Sequence, residues 1–512
     1  MVEQRMQQTQ SHMSQWLKPM YLGWIIVVLG GLLRVRQYFS GRSLWRDEAG
    51  LALNIVGRNF AGLTQPLGYE QGAPVGFLFL EKILTLLFGN YDYVMRLIPL
   101  VSGILSVYFF YRIAQVHIKG ALFGTLLFAI SFSLVYYSSE LKQYSSDVMI
   151  VLLLVFLASR CLRQEANSKD FLTLGIIGMI SIWISHPAAF VLAGIGLALF
   201  LAVITKRAFV SVKWLFILAG MWVLSFGLEY LISLRYLAAD DYLLNYWENA
   251  FMPLPPGGTR AWFVRTYGSF LLTTFNRTDQ IISLLMLILV PVGALSLLYR
   301  DKVIGIIVIS PFFIALLASG AHKYPLWGRL TLFLVPFALL LIAEGLGGIY
   351  WLIAKWNIWL ARVAYALPAF VLFFLPFTGT WEAFLHPPVS ENIRPVLQYV
   401  AEHYQEEDIL YVYHTSGSVF EYYAPFYELE HIDALLGRND PAKRIALKYF
   451  YEDAKTLKGQ DRVWFIFSGI VDCGGCEGDM QAFYVNYLDE RGTMLDHVEA
   501  TGANAYLYDI NP

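Results

Sequence analysis

Charge is scarce in this chain. Asp, Glu, Lys and Arg make up 15% of its 512 residues, where soluble domains carry about 25%, and the mean hydropathy is +0.52. That shortfall excludes a wholly soluble enzyme and a disordered chain. Three cysteines are too few for a disulfide-built secreted scaffold. A net charge of −2 gives no basic excess for nucleic acid. The apolar stretches are continuous rather than alternating, which excludes a transmembrane β-barrel. What remains is a polytopic α-helical membrane protein, with apolar runs of bilayer length first and charges crowded after about residue 387.

A span needs about 20 mostly apolar residues. On that basis helices are expected at Met20–Leu33, Leu97–Ala114, Ala121–Tyr137, Asp147–Leu162, Phe171–Ser185 and Pro187–Ile204. Others are expected at Trp214–Leu231, Ile281–Leu298, Val303–Ser319, Leu326–Ile342 and Ala361–Phe377, about eleven in all. The first run has no small-residue cleavage site after it and reads as a retained anchor behind a cytoplasmic 1–19. Ala73–Gly89 carries Glu81 and Lys82 at its middle, and each would cost about 2.5–3.5 kcal/mol at the bilayer centre. It reads as an interfacial helix.

With that choice Arg112, Lys119, Arg160, Lys206, Arg207, Lys213, Arg300, Lys302 and Lys355 fall in short loops facing the cytoplasm. The first outer loop, 34–96, breaks the rule with Arg34, Arg36, Arg42 and Arg46, which suggests anionic ligands or lipid headgroups there. The polar segments 34–72, 140–144, 186, 231–280 and 322–329 then share the outer face with the C-terminal region.

From 388 to 512 the chain turns soluble in character. Asn392–His403 and Pro441–Leu457 read as helices, and Ile409–His414, Val463–Ser468 and Ala505–Ile510 as strands, making a small α/β domain outside the membrane. Its Cys473-Gly-Gly-Cys476 suggests a local disulfide, with redox and zinc sites as the alternatives.

The strongest chemical feature is Ser43-Leu-Trp-Arg-Asp-Glu48, which opens an apolar run. Acids suit a helix first turn, so the pair could be a simple cap. On a helix Asp47 and Glu48 point about 100° apart and cannot share one reacting atom. Glu70-Gln71-Gly-Ala-Pro74, Glu140-Leu-Lys142-Gln-Tyr144, His186-Pro187 and His322-Lys323-Tyr324-Pro-Leu-Trp-Gly-Arg329 each fit an ordinary interfacial role. Together they place acids, polar groups and cations at one surface, as an anionic-headgroup pocket with a base beside it would.

This order of motifs resembles the polytopic GT-C glycosyltransferases, specifically the protein O-mannosyltransferase and aminoarabinose lipid A transferase group. The matching residues are Leu-Trp-x-Asp47-Glu48-Ala, the turn ending in Ala-Pro74, Met-Arg96-Leu-x-Pro99, Tyr-Ser-Ser-Glu140-Leu-Lys142-Gln-Tyr144, and Tyr324-Pro-Leu-Trp-Gly-Arg329-Leu ahead of Pro336. The resemblance covers 20–380, the expected catalytic domain, and a soluble outer domain is usual after it. Two departures stand out: Gln71 where some relatives carry Lys, and Lys142 where many carry Arg.

The resemblance implies a plasma (bacterial inner) membrane enzyme. It would pass a sugar from a polyprenyl-phosphate donor to an acceptor hydroxyl or phosphate on a lipid, glycan or protein outside the membrane. Asp47 would be the base, and Glu48, Glu70 or Glu140 would shape the site or hold a divalent metal, no cofactor being certain. Arg329, with Lys323 or Lys142, would take the phosphate. Gln71, Tyr144, His186 and Tyr324 complete the expected substrate contacts. A phosphate leaving group needs no general acid, unlike the leaving oxygen in glycosidases. One base contributes typically 10²–10⁴-fold, and direct displacement inverts the anomeric carbon. The alternative is a flippase for lipid-linked saccharides, which would favour internal repeats and a midplane site.

Overall fold

The computed structural model describes residues 2–205, 211–254, 258–438, 446–469 and 480–511. Cys473, Cys476, Lys206 and Arg207 lie outside the described residues. Helix α1 (Val2–Tyr38) is followed by α2 (Arg46–Gly57), α3 (Val75–Phe88) and α4 (Leu97–His117). Then come α5 (Ala121–Ile130), α6 (Phe132–Tyr136), α7 (Tyr144–Cys161), α8 (Ser168–Ile184), α9 (Ala188–Ile204) and α10 (Val212–Glu229). The helical body closes with α11 (Thr259–Phe275), α12 (Gln280–Arg300), α13 (Lys302–Gly320), α14 (Val335–Ala354) and α15 (Ile358–Leu385).

Among the described residues, eight helical segments are long and apolar enough to cross a membrane, nine if the bent pair 121–139 is one span. α8 and α9, each of 17 residues, account for the other two of the eleven expected segments. α11 was not expected, because Arg260, Arg265 and Gly268 interrupt its apolar pattern.

Two features of the body follow from backbone chemistry in an apolar surrounding, where every polar group must find a partner. The helix bends 58° between α5 and the following 132–139 segment, which frees backbone carbonyls. Arg34 donates to Ala129 and Phe128 O (3.2 and 3.5 Å), and Thr380 donates to Ile130 O (2.6 Å). At the end of the body away from α2, buried Glu344 accepts from Lys119 N (2.8 Å), Ser296 Oγ (2.7 Å) and Arg300 (2.9 Å). α12 meets α14 through glycines: a Cβ on Gly293 would fall 1.9 Å from Leu341 O. Such small residues let apolar helices approach closely.

Most of the first-loop arginines are structural, correcting the anionic-ligand expectation. α1 runs to Tyr38, so Arg34 and Arg36 are helical. Arg34 serves the bend, Arg36 sits over the Phe384 ring (5.9 Å), and Arg42 sits over Tyr136 (4.2 Å) while donating to Ser139 O (2.8 Å). Each is placed by aromatic rings and carbonyls.

The C-terminal region contains α16 (Ile393–His403), β1 (Ile409–Val412), α17 (Gly417–Tyr423), β2 (Leu435–Leu436), α18 (Ala446–Thr456), β3 (Val463–Ser468), α19 (Met480–Asp489), β4 (Thr493–Ala500) and β5 (Ala503–Asp509). Strand order is β2-β1-β3-β5-β4, with β2, β1 and β3 parallel and β5 antiparallel to β3 and β4. β3 is buried on both faces, as a central strand requires. Phe465 and Phe467 face one core with Tyr411, Phe450 and Tyr484. Trp464 and Ile466 face a second core that also holds Leu44, Leu51, Phe77, Met95 and Leu141. The small sheet domain thus shares a core with α2, α3 and the 140–144 turn.

Candidate active site

Trp45 precedes the first turn of α2, and its amide donates to Glu48 Oε2 (3.4 Å). Asp47 and Glu48 diverge as helix geometry demands. Asp47 lines a cavity of about 640 Å³ and pairs with Arg329, which is 282 residues away in sequence. Glu48 turns inward and does not line the cavity. It pairs with Arg96 through two contacts (2.8 and 2.5 Å) and accepts the amide of Leu141 (2.6 Å). The structure therefore gives Glu48 a positioning place, holding the first loop against the 140–144 turn, rather than contact with a reacting atom.

Arg329 is cradled by rings. Its guanidinium carbon lies 5.0 Å from the Trp45 centroid and 5.7 Å from that of Tyr144. Lys142 is buried in the cavity wall and bonds Gln71 Oε1. Burial pushes Asp47 up, but Lys142 and Arg329 outweigh it and hold the carboxyl below its ordinary value. Burial lowers Lys142 to about 8, with Asp47 opposing and Arg329 adding. Glu140 receives Trp45 Nε1–H at 2.7 Å, and its other oxygen has no hydrogen bond. Burial, reinforced by Glu48, raises it to about 7.

The expected residues Glu70, Gln71, Lys142, Tyr144, His186, Lys323, Tyr324 and Arg329 all line the same cavity as Asp47; Glu48 and Glu140 do not. Glu70 lies 3.5 Å from Arg46, the one first-loop arginine that faces the cavity. Tyr69 and Glu70 both have φ near +60° (58° and 59°), a left-handed conformation uncommon for side-chain-bearing residues. The Tyr69 hydroxyl, bonded to Glu421 at 2.6 Å, helps hold that turn.

Glu48, Glu70 and Glu140, the acids expected to shape the site or hold a metal, do not come together in the structure. Each is committed to a different partner (Arg96, Arg46 and Trp45), and among the described residues no group of three or more His, Cys, Asp or Glu could hold a metal ion. Sequence reading missed Asp147, which lines the cavity, and Glu229, 3.7 Å from His186. An ionisable residue inside an apolar span was the available signal for both. It also missed Glu391, whose Oε2 accepts the Arg46 amide at 3.0 Å. No local pattern marks that residue.

The family described as dolichyl-phosphate-mannose-protein mannosyltransferase matches residues 72–229. No curated protein matches the chain by sequence. Among solved structures, the chain is similar to ArnT from Cupriavidus metallidurans bound to undecaprenyl phosphate. The TM-score is 0.54 at 11% identity, covering 95% of this chain and 98% of that one. The apo state of that protein gives 0.52 at 13% identity, covering 95% and 98%. The Archaeoglobus fulgidus oligosaccharyltransferase in complex with zinc and sulfate gives 0.52 at 12% identity, covering 95% of this chain and 73% of that one. With a helical body, a cavity built at one end of it and a small sheet domain packed over that end, the chain has the fold of the GT-C superfamily of membrane glycosyltransferases.

Proposed function

We propose that the protein transfers a sugar from a polyprenyl-phosphate donor to an acceptor hydroxyl or phosphate, with Asp47 as the base. The observation that carries this is the Asp47–Arg329 pair in a roomy cavity that Lys142 and Lys323 also line. An ionised carboxylate beside cations is the equipment for removing a proton while a phosphate departs. For a hydroxyl acceptor, its proton passes to Asp47 and its oxygen bonds the anomeric carbon. The bond from that carbon to the phosphate oxygen breaks with its electrons staying on the phosphate, where Arg329 and Lys142 offset the charge. The carbon inverts. The likeness to a structure bound to undecaprenyl phosphate supports a carrier of that kind. Basic loops at the opposite end, such as Lys119, Arg300 and Lys302, support placing the cavity on the extracytoplasmic side.

Purified protein in proteoliposomes with a labelled polyprenyl-phosphate sugar tests the reading. Asp47→Asn is expected to lose transfer by about 10²–10⁴-fold while expressing normally and still binding donor. Full transfer by that variant would remove Asp47 as the base, and movement of intact lipid between leaflets would support the flippase instead.

A further inference from the structure

One wall of the cavity carries polar groups that the transfer step does not use. Asp147 lines it in the first turn of α7, only 5% exposed, and its Oδ1 has no hydrogen-bond partner. His186, in the turn between α8 and α9, lines the same cavity. Behind it, Glu229 is 1% exposed, with Oε1 3.7 Å from His186 Nε2 and no hydrogen bond. A buried acceptor left unmade costs about 1–3 kcal/mol. The one on the cavity wall, Asp147 Oδ1, marks a site whose donor arrives with a ligand.

The neighbouring surfaces narrow that ligand. Phe190 and Tyr324 line the cavity and pack edge to face with centroids 5.2 Å apart. The Tyr324 hydroxyl is already given to Leu330 O at 2.9 Å, so the ring is what it offers. Asp147 and His186 can exchange hydrogen bonds with hydroxyls, and aromatic rings suit an apolar ring face. Glu229 shares α10 with Phe226, another lining residue, and the π turn Tyr230–Leu234 follows it directly. The polar wall therefore adjoins an apolar one that suits the hydrocarbon of a lipid-linked substrate, whereas a water-borne acceptor has no need of it.

We propose that Asp147 and the His186–Glu229 pair, with the Phe190 and Tyr324 rings, form the subsite for the hydroxylated sugar ring of the donor. This rests on the polyprenyl-phosphate reading above. Asp147 and His186 touch the sugar and set which one is accepted, and Glu229 acts through His186 as a positioning residue.

The test uses the full chain in nanodiscs and measures binding of undecaprenyl phosphate, bare and carrying each of a panel of hexoses and pentoses. The wild type is expected to bind at least one sugar-bearing probe about tenfold more tightly than the bare carrier. Asp147→Ala should shrink that ratio to about threefold or less, as losing the acceptor for a ligand hydroxyl implies. Bare-carrier affinity should stay unchanged. His186→Gln reads the same ratio should Asp147→Ala fail to fold. A ratio retained in folded variants, or no sugar preference across the panel in the wild type, would overturn the subsite. Failure of bare undecaprenyl phosphate to bind, or binding insensitive to Arg329→Gln, would overturn the underlying donor reading instead.

Discussion

Glu391 Oε2 lies 3.0 Å from the amide nitrogen of Arg46, so a carboxylate from beside the sheet domain holds the first turn of the helix that carries Asp47. The Ser468 hydroxyl donates to the same oxygen at 3.3 Å, tying the clamp to the end of β3. Ser418 Oγ reaches Arg46 O (3.2 Å), and Leu44 N donates to the Tyr423 hydroxyl (2.7 Å). The sheet domain acts on the site by fixing α2.

That clamp has a pH signature. Burial raises the Glu391 carboxyl from 4.5 to about 7. A raised carboxyl binds its proton more tightly folded than unfolded, so stability is greatest below the ordinary value and falls as pH rises towards 7. The change is about 3 kcal/mol at 1.36 kcal/mol per unit. Glu391→Gln keeps an oxygen for the Arg46 amide and should flatten this part of the melting-temperature profile between pH 4.5 and 7. A variant whose profile matches the wild type would show that Glu391 is not the titrating group.

Arg329 should set the acid limb of the rate. Burial pushes Asp47 up, and Lys142, Arg329 and Arg46 pull it down further than burial raises it. With Arg329→Gln one of these cations and its hydrogen bond are lost, so the pKa of Asp47 rises. The acid limb of kcat/KM is then expected to move up by about one unit or more. Arg329→Lys should also be impaired, because an ammonium cannot reproduce the guanidinium packing against Trp45 and Tyr144. An unmoved limb in Arg329→Gln would separate the ion pair from the titration of the base.

Much of this was legible in the residues. Bilayer-length apolar runs give the helices, since hydropathy and length alone decide them. The resemblance through Asp47, Lys142, Tyr144 and Arg329 pointed to residues that the fold brings to one cavity. The roles of Glu48 and Arg34 were not legible, because each is set by partners far away in sequence, Leu141 and Arg96 for one and the carbonyls of the α5 bend for the other. Strand β4 was hidden for a local reason. It is an edge strand that alternates exposed and half-buried positions, so Asp496, His497 and Glu499 mask its period. The Glu391 clamp depends on tertiary docking alone.

Lys142 supplies a prediction at the other end of the pH range. Its ammonium is lowered to about 8, first by burial, with Asp47 opposing and Arg329 adding. The lysine must be protonated to hold a phosphate, so kcat/KM should fall above pH 8 in the wild type. Lys142→Arg installs a cation that stays charged. Its rate is expected to stay level to about pH 10, whatever its absolute value. A wild-type profile flat through pH 9 would mean that Lys142 does not carry the phosphate charge.

The Glu48–Arg96 pair makes a prediction about stability that a catalytic role would not. Both side chains are buried, and Arg96 also donates to the carbonyls of Arg42 and Ser43 (2.7 and 3.0 Å), so the pair holds the loop leading into α2. Burial pushes Glu48 up, but Arg96 more than offsets it and keeps the carboxyl ionised below its ordinary range. Removing one partner strands the other charge, which typically costs about 3–5 kcal/mol. Glu48→Gln should therefore lower the melting temperature and the yield of folded protein, and the double variant Glu48→Gln/Arg96→Met should recover part of the loss. A group acting only on the reacting atoms would instead lose rate at an unchanged melting temperature, so that pattern in Glu48→Gln would return this residue to the chemistry and leave Asp47 to share it.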